Sequence, residues 1–133
     1  MNNIDLEKKT QKICNELIHE KGYISVVDVL MRLEYLSQSD YENWRFGRID
    51  FLERVCKVNL TKLSRISRFI RKHANNLNLK PSWTSYRKYG KGVKIQLRFS
   101  KSGNENVEKN YATHYFSMLK HDQRNLIPEV KDE

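Results

Sequence analysis

NLTKLSRISRFIRKHANN, residues 59–76, is the stretch with the clearest structural signal in the chain. On a helix that advances about 100° per residue, its apolar side chains fall within one arc. The residues of that arc are Leu63, Ile66, Ile70 and Ala74. The opposite arc holds Thr61, Arg65, Arg68 and Lys72. The pattern therefore predicts a helix with an apolar edge and a basic edge, capped at its start by Asn59 or Thr61.

The charges around this helix are distributed unevenly. Residues 57–101 contain 13 lysines and arginines and no acidic residue, although the net charge of the 133-residue chain is only +9. Residues 1–56 hold 8 basic and 10 acidic side chains, and residues 102–133 hold 4 and 6. A solvated surface normally mixes both signs, so a window of this length without a carboxylate predicts contact with a polyanion.

Four further helices are predicted before residue 57. Helix 1 spans Ile4 to Lys21, with Asn3 as its cap and Gly22 as the residue after its end. Helix 2 begins at Ser25, which forms a short capping box with Asp28, and ends near Leu36. Helix 3 starts from the capping box of Ser39 and Glu42 and ends near Arg45. Helix 4 starts from the pair Asp50 and Glu53 and runs to about Cys56.

After residue 80 the apolar period changes from helical to two. SWTSYRKY (82–89) and VKIQLRFS (93–100) predict the strands of a hairpin that turns at Gly90-Lys91-Gly92. The core face of the second strand is predicted to be Val93, Ile95, Leu97 and Phe99. The register stays open: a three-residue loop pairs Trp83 with Phe99, whereas a two-residue loop places Trp83 on the opposite face, beside Arg98.

A short helix through Val107, Tyr111 and Tyr115 follows, and residues 119–133 are predicted to be a mobile tail. The fold class is therefore α+β and mostly helical. Four to five N-terminal helices precede a β-hairpin and a short C-terminal helix, all within one domain of residues 1–118.

Several functional classes lack their signals in this sequence. No apolar run is long enough to cross a bilayer, and the N-terminus has no signal core, so a cytoplasmic protein without a membrane partner is predicted. Cys14 and Cys56 are expected to be reduced core thiols. No zinc or phosphate-loop pattern is present, so no metal, cofactor or catalytic residue is assigned. The carboxylates of Asp40, Glu42, Asp50 and Glu53 are interpreted as helix-start residues rather than metal ligands, so no enzymatic activity is predicted.

The order of helices, basic helix and glycine-tipped hairpin in residues 50–100 resembles a winged helix-turn-helix domain. This resemblance implies that helix 5, the basic helix, lies in the major groove of DNA and that the hairpin is the wing. The residues then expected near DNA are Thr61, Lys62, Ser64, Arg65, Arg68 and Lys72 on the helix, and Arg87, Lys88, Lys91 and Lys94 on the wing. Helices 2 and 3 are an alternative helix-turn-helix pair. ISVVDVLMRL, WRFGRIDFLERV and LRFSKSG are also similar to a family of small bacterial proteins, which implies no function.

The predicted function is non-enzymatic nucleic-acid binding, most simply to duplex DNA, by a regulator or an accessory protein of a mobile element. The six basic residues expected on one continuous surface are Arg65, Arg68, Lys72, Arg87, Lys88 and Lys91. Two alternatives remain. Trp83, Tyr86 and Tyr89 could stack on the bases of RNA or single-stranded DNA. The basic residues could also bind an acidic protein partner.

Overall fold

A computed structural model describes residues 2–118 and confirms an α+β fold that is mostly helical. Residues 2–118 form five α-helices, a small antiparallel sheet and one 3-10 turn at Leu52–Val55. The helices are α1 (Asn3–Lys21), α2 (Val26–Arg32), α3 (Gln38–Arg45), α4 (Leu60–Asn76) and α5 (Glu105–Ala112). The strands are β1 (Tyr23–Ile24), β2 (Lys80–Trp83) and β3 (Thr113–Phe116). The predicted tail of residues 119–133 lies outside the described residues.

Helices α1 and α4 pack against each other and supply much of the core. The four residues of the predicted apolar arc of α4 are all buried. Asn59 caps this helix by accepting a hydrogen bond from the Lys62 amide at 2.8 Å, as one of the two predicted caps. In α2, Ser25 accepts the amide of Asp28 at 3.1 Å, which confirms the predicted cap. Helix α1 ends at Lys21 and is followed by the predicted Gly22, whose φ of 81° lies in the left-handed region.

The predicted boundaries of helices 1, 2 and 3 shift by small amounts. The cap of α1 is Asn2 rather than Asn3. Helix α2 ends at Arg32, four residues before the predicted end. The cap of α3 is Ser37, which accepts the Asp40 amide at 3.0 Å, so the box of Ser39 and Glu42 was wrong.

The predicted helix 4 is also wrong, because the chain forms only the 3-10 turn of Leu52–Val55. The amides of Leu52 and Glu53 donate to the carbonyls of Arg98 and Phe99, at 3.2 and 2.9 Å. The turn is therefore tied to the chain that leaves the hairpin. Asp50 caps nothing there, because its carboxylate binds the Arg54 guanidinium at 2.6 and 2.8 Å. The helix-turn-helix pair expected in residues 50–76 therefore has one full α-helix.

The sheet has the order β1-β3-β2, with both pairs antiparallel. In β3, Tyr115 lies opposite Ile24 on one side and Pro81 on the other. The sequence analysis placed Tyr115 on the last helix, and that assignment is wrong. Helix α5 ends at Ala112, and Thr113, with ψ of 125°, begins extended chain.

The hairpin of residues 84–99 forms, but its regular pairing is short. Arg87 is the bridge partner of Gln96, and the amides of Lys88 and Leu97 donate to the carbonyls of Ile95 and Tyr86, both at 2.8 Å. Neither predicted register occurs, because Trp83 belongs to β2 and lies opposite Thr113.

Only the inner half of the hairpin reaches the core. Leu97 is half-buried and Phe99 is buried, as predicted. Val93 and Ile95 are 84% and 56% exposed, so their assignment to a core face was wrong. The hairpin extends these two side chains past the packed interior. No helix within residues 2–118 is both long and apolar enough to cross a membrane.

Candidate nucleic-acid interface

The basic edge of α4 borders a groove beside α1, which we call the α1–α4 groove. Its volume is about 690 Å³. The residues that line it are Asn3, Ile4, Glu7, Arg65, Arg68, Phe69, Arg71, Lys72, Asn75 and Asn76. Four of these side chains are cations and one, Glu7, is a carboxylate. The groove therefore brings together three of the predicted site residues on one strongly positive surface.

The cations of this groove are only loosely engaged by the protein itself. Arg65 donates to the side-chain oxygen of Asn3 at 3.3 Å. The Lys72 ammonium lies 3.6 Å from the Glu7 carboxylate, and the Lys72 side chain is 67% exposed. An exposed ion pair such as Lys72–Glu7 contributes about 0–1 kcal/mol, so a phosphate can replace Glu7 at little cost. Arg68 and Arg71 are exposed.

The start of α4 holds three other predicted residues. Thr61 is exposed, and the first turn contains no acidic side chain. Lys62 is half-buried, and its ammonium lies 5.5 Å from the centre of the Tyr35 ring. Ser64 faces away from the α1–α4 groove and lines a second groove, between α4 and α5. Positive amide dipoles at a helix start favour an anion there, which suits Thr61.

The four predicted hairpin residues belong to a hairpin that contacts the end of α3. Lys91 is exposed at the tip, and Lys94 donates to the carbonyl of Gly90 at 2.5 Å. Arg87 is exposed and donates to the Ser85 hydroxyl at 3.3 Å. Lys88 is half-buried and lines a recess with Gly47 and Asp50.

Arg45 holds the hairpin in place, and sequence reasoning missed this role. Its guanidinium lies 3.9 Å from the centre of the Tyr89 ring and donates to the carbonyl of Arg87 at 3.0 Å. In return, the Tyr89 amide donates to the Arg45 carbonyl at 2.7 Å. The available signal was the cation itself, because an arginine can form a cation–π contact with a nearby tyrosine ring.

The helix charges and the hairpin charges form two groups. Among the described residues, no side chain of the 84–99 hairpin lines the α1–α4 groove, and no α4 side chain lines the recess that contains Lys88. The expectation of one continuous surface stays a prediction. A nucleic acid would have to span both groups to contact all of these residues.

Arg71 was also missed, although it lines both grooves beside α4. On the helical projection it lies close to Leu60 and away from the centre of the basic arc, so the arc did not include it. Leu60 is itself 61% exposed, so the exposed face of α4 extends beyond the arc that the pattern predicted to be basic.

The three predicted stacking residues differ in how far they are exposed. Tyr86 is buried, and its hydroxyl lies 2.8 Å from Nε2 of His114, so it cannot meet a base. Trp83 is 53% exposed and Tyr89 is 40% exposed. The Tyr89 ring contacts Phe46, which is 41% exposed and lies 5.1 Å from the Arg48 guanidinium. Phe46 and Arg48 therefore extend the exposed surface around Tyr89.

The titratable groups outside the basic surfaces mostly serve the fold. Glu53 accepts the Lys101 amide at 2.9 Å and the Tyr111 hydroxyl at 2.7 Å, and burial raises the Tyr111 pKa. Burial also raises the pKa of Cys14 and of Cys56 to about 12, so both remain thiols at neutral pH. Within residues 2–118, no group of three or more histidine, cysteine or acidic side chains is arranged to hold a metal ion.

Comparison with known proteins adds no family to this description. No protein-family model matches the chain, and neither the curated proteins nor the solved structures contain a match.

Proposed function

We propose that the protein binds nucleic acid, preferentially duplex DNA, through α4 and the hairpin, as a regulator or an accessory protein of a mobile element. The observation that carries this proposal is the α1–α4 groove, where Arg65, Arg68, Arg71 and Lys72 converge with a single carboxylate. A cytoplasmic location belongs to the same proposal. It is supported by two free thiols, which a reducing compartment preserves.

Phosphate contacts would supply most of the affinity in this arrangement. Arg71 and Lys72 are exposed side chains of the groove, and Asn75 and Asn76 add neutral donors to its lining. Arg65 and Arg68 are the candidates for base edges, because arginine can bind guanine through two hydrogen bonds in the major groove. In the winged-helix interpretation, α4 enters that groove and the hairpin lies along the backbone.

A salt titration tests the proposal directly. If about six basic side chains contact phosphate, a plot of log K against log salt has a slope of about −5 on duplex DNA and about −4 on single strands. Fluorescence anisotropy with short labelled duplexes and single strands measures both. Absence of binding to every nucleic acid at low salt contradicts the proposal and makes an acidic protein the first candidate partner.

Variants of the α1–α4 groove separate base reading from phosphate contact. Arg65→Ala and Arg68→Ala should each lose about 1–3 kcal/mol on a preferred site and relax the preference at one base pair. Lys109→Ala, on the exposed side of α5 and outside the groove, is the control. If both arginine variants lose the same affinity on all sequences, neither arginine reads a base, and the protein binds DNA non-specifically.

The exposed rings of Trp83 and Tyr89 support single-stranded DNA or RNA as a second candidate. Base stacking on an aromatic side chain contributes about 1–3 kcal/mol per base, so Tyr89→Ala or Trp83→Ala should weaken single strands more than duplex. A Tyr23→Ala variant, on a half-buried ring that stacks on His114, serves as the comparison. Equal affinities of the Tyr89 and Trp83 variants and the parent protein for single strands would reject this candidate.

A further inference from the structure

A second groove lies on the other side of α4, against α5, and we call it the α4–α5 pocket. Its volume is about 650 Å³, within the range of about 300–1,000 Å³ that is usual for small-molecule sites. Its apolar lining consists of Leu60, Leu63, Val107 and Tyr111, and its cations are Arg68, Arg71 and Lys101. We propose that this pocket binds a small molecule with an apolar body and one anionic group.

The apolar part of the pocket is firmly held. The Tyr111 ring stacks on Phe99 with centroids 5.4 Å apart and planes 8° apart, and its hydroxyl donates to Glu53 at 2.7 Å. Leu63 is buried, whereas Leu60 is 61% exposed beside it. An exposed leucine next to a fixed aromatic ring offers apolar area that the fold does not use. A ligand that covers it gains the free energy of removing this area from water.

The charges of the pocket favour an anion. Three cations and one carboxylate line it, and both oxygens of that carboxylate, Glu53, already accept hydrogen bonds from Tyr111 and Lys101. Within residues 2–118, no carboxylate lies within ion-pair distance of Arg68, Arg71 or Lys101. These cations retain their capacity for charge-assisted hydrogen bonds, which are about twice as strong as neutral ones.

The same arginines line both grooves beside α4. Arg68 and Arg71 belong to the α1–α4 groove as well as to the α4–α5 pocket. An anionic group bound between them and Lys101 would occupy donors that a phosphate of nucleic acid also needs. Each ligand therefore weakens the other by the same factor, as linkage requires. This step rests on the proposed function, whereas the existence of the pocket does not.

The pocket is tested with 8-anilinonaphthalene-1-sulfonate, a fluorescent aromatic sulfonate, and with N-phenyl-1-naphthylamine, its neutral analogue. Lys101→Gln removes one cation of the pocket, and Asn110→Asp adds a carboxylate with almost no change in shape. Each variant should weaken sulfonate binding at least fivefold, or about 1 kcal/mol, and leave the neutral dye within a factor of about two.

Two matched variants control this experiment. Lys109→Gln and Asn106→Asp make the same chemical changes at exposed positions of α5 that do not line the pocket. Both should bind the sulfonate like the parent protein. Urea denaturation of all four variants verifies that they are folded. Equal sulfonate affinity for Lys101→Gln, Asn110→Asp and the controls would overturn the pocket.

Displacement then identifies the chemical class. Release of the sulfonate by decanoate, or by phenyl phosphate, supports an aliphatic carboxylate or an aryl phosphate respectively as the ligand. If neither compound releases the sulfonate, the dye binds as an adventitious additive only, and the proposal is overturned.

Competition with DNA tests the shared arginines. A sulfonate concentration that just saturates the parent protein should lower its duplex affinity at least threefold. The same concentration leaves Asn110→Asp partly unoccupied and should lower its duplex affinity less. If the dye binding depends on Lys101 but the protein has no affinity for DNA, the proposed function is refuted and the pocket proposal still holds. If the dye binds in a Lys101-dependent manner and saturates the protein, but the DNA affinity is unchanged, the proposed competition is overturned.

Discussion

Single side chains decide which parts of the basic and aromatic sequence are available to a partner. Tyr86 and Tyr89 stand three positions apart in one hairpin strand, yet the first is buried against His114 and the second is 40% exposed. The sequence pattern assigned both to the same stacking surface. It could not separate them, because the separation depends on contacts with residues 28 positions away in the chain for Tyr86 and 44 away for Tyr89.

The buried contact of Tyr86 with His114 predicts a measurable loss of stability. Tyr86→Phe should lower the free energy of unfolding by about 1–3 kcal/mol, because a nitrogen of the buried imidazole loses its hydrogen-bond partner. Tyr35→Phe, at a half-buried position outside this contact, should change it by about 0.5 kcal/mol or less. Urea titration provides both values. Identical stabilities of the two variants would show that this hydrogen bond contributes nothing.

The histidines predict the direction of the pH dependence. Burial lowers the pKa of His114 and of His73 below the usual 6.5. As the pH falls below about 6.5, the unfolded chain therefore takes up protons before the folded one, and stability falls. The loss levels off once the pH is below the folded pKa values. Unfolding measured between about pH 7.5 and 5, above the range of most carboxylates, should show this decrease, and His114→Gln should reduce it.

At the scale of elements, local patterns predicted the helices well where the cap and the apolar stripe agree. The C-terminal end of α1 and the caps at Ser25 and Asn59 followed from side chains within one turn. The predicted helix at 50–56 failed because its amides donate to the chain at Arg98 and Phe99 instead. Strand β3 was missed for a similar reason: both of its partners are distant in sequence.

Helix α5 predicts a test of how the end of the hairpin is anchored. The Glu108 carboxylate accepts the amides of Phe99 and Ser100 at 2.9 and 2.7 Å. Glu108→Gln should cost about 1–3 kcal/mol, because an amide side chain offers one acceptor in place of two charged ones. Glu105→Gln, exposed in the first turn of α5, is the matched control and should cost less than about 1 kcal/mol. Equal urea midpoints would argue against this anchoring.

For the whole molecule, the sequence predicted the fold class and the charge imbalance but not the relation between the two basic groups. The sequence places thirteen lysines and arginines within residues 57–101. It cannot tell that α4 packs on α1 while the hairpin is fastened to α3 through Arg45. The number of phosphates that one nucleic acid can reach depends on that arrangement.

A combination of variants tests whether both groups contact one duplex. Lys91→Ala at the hairpin tip should flatten the salt slope by about one unit if Lys91 contacts a phosphate, and Lys88→Ala should do the same. Combined with Arg68→Ala, the losses of binding free energy should add, because the sites do not touch. At physiological salt the screening length is about 8 Å, so an uncontacted Lys91 would leave the slope unchanged. That result would restrict the interface to α4.

The strand order β1-β3-β2 also has a consequence for how the protein is made. The central strand, Thr113–Phe116, follows both of its neighbours in the chain, and Ile24 pairs with a residue 91 positions later. During synthesis β1 and β2 are therefore exposed as open edges until residue 116 has left the ribosome. Folding of the sheet must wait for chain completion up to that point, and the closure of such long loops is slow. Before it closes, the nascent protein depends on its helices, and above all on the packing of α1 against α4, to remain compact.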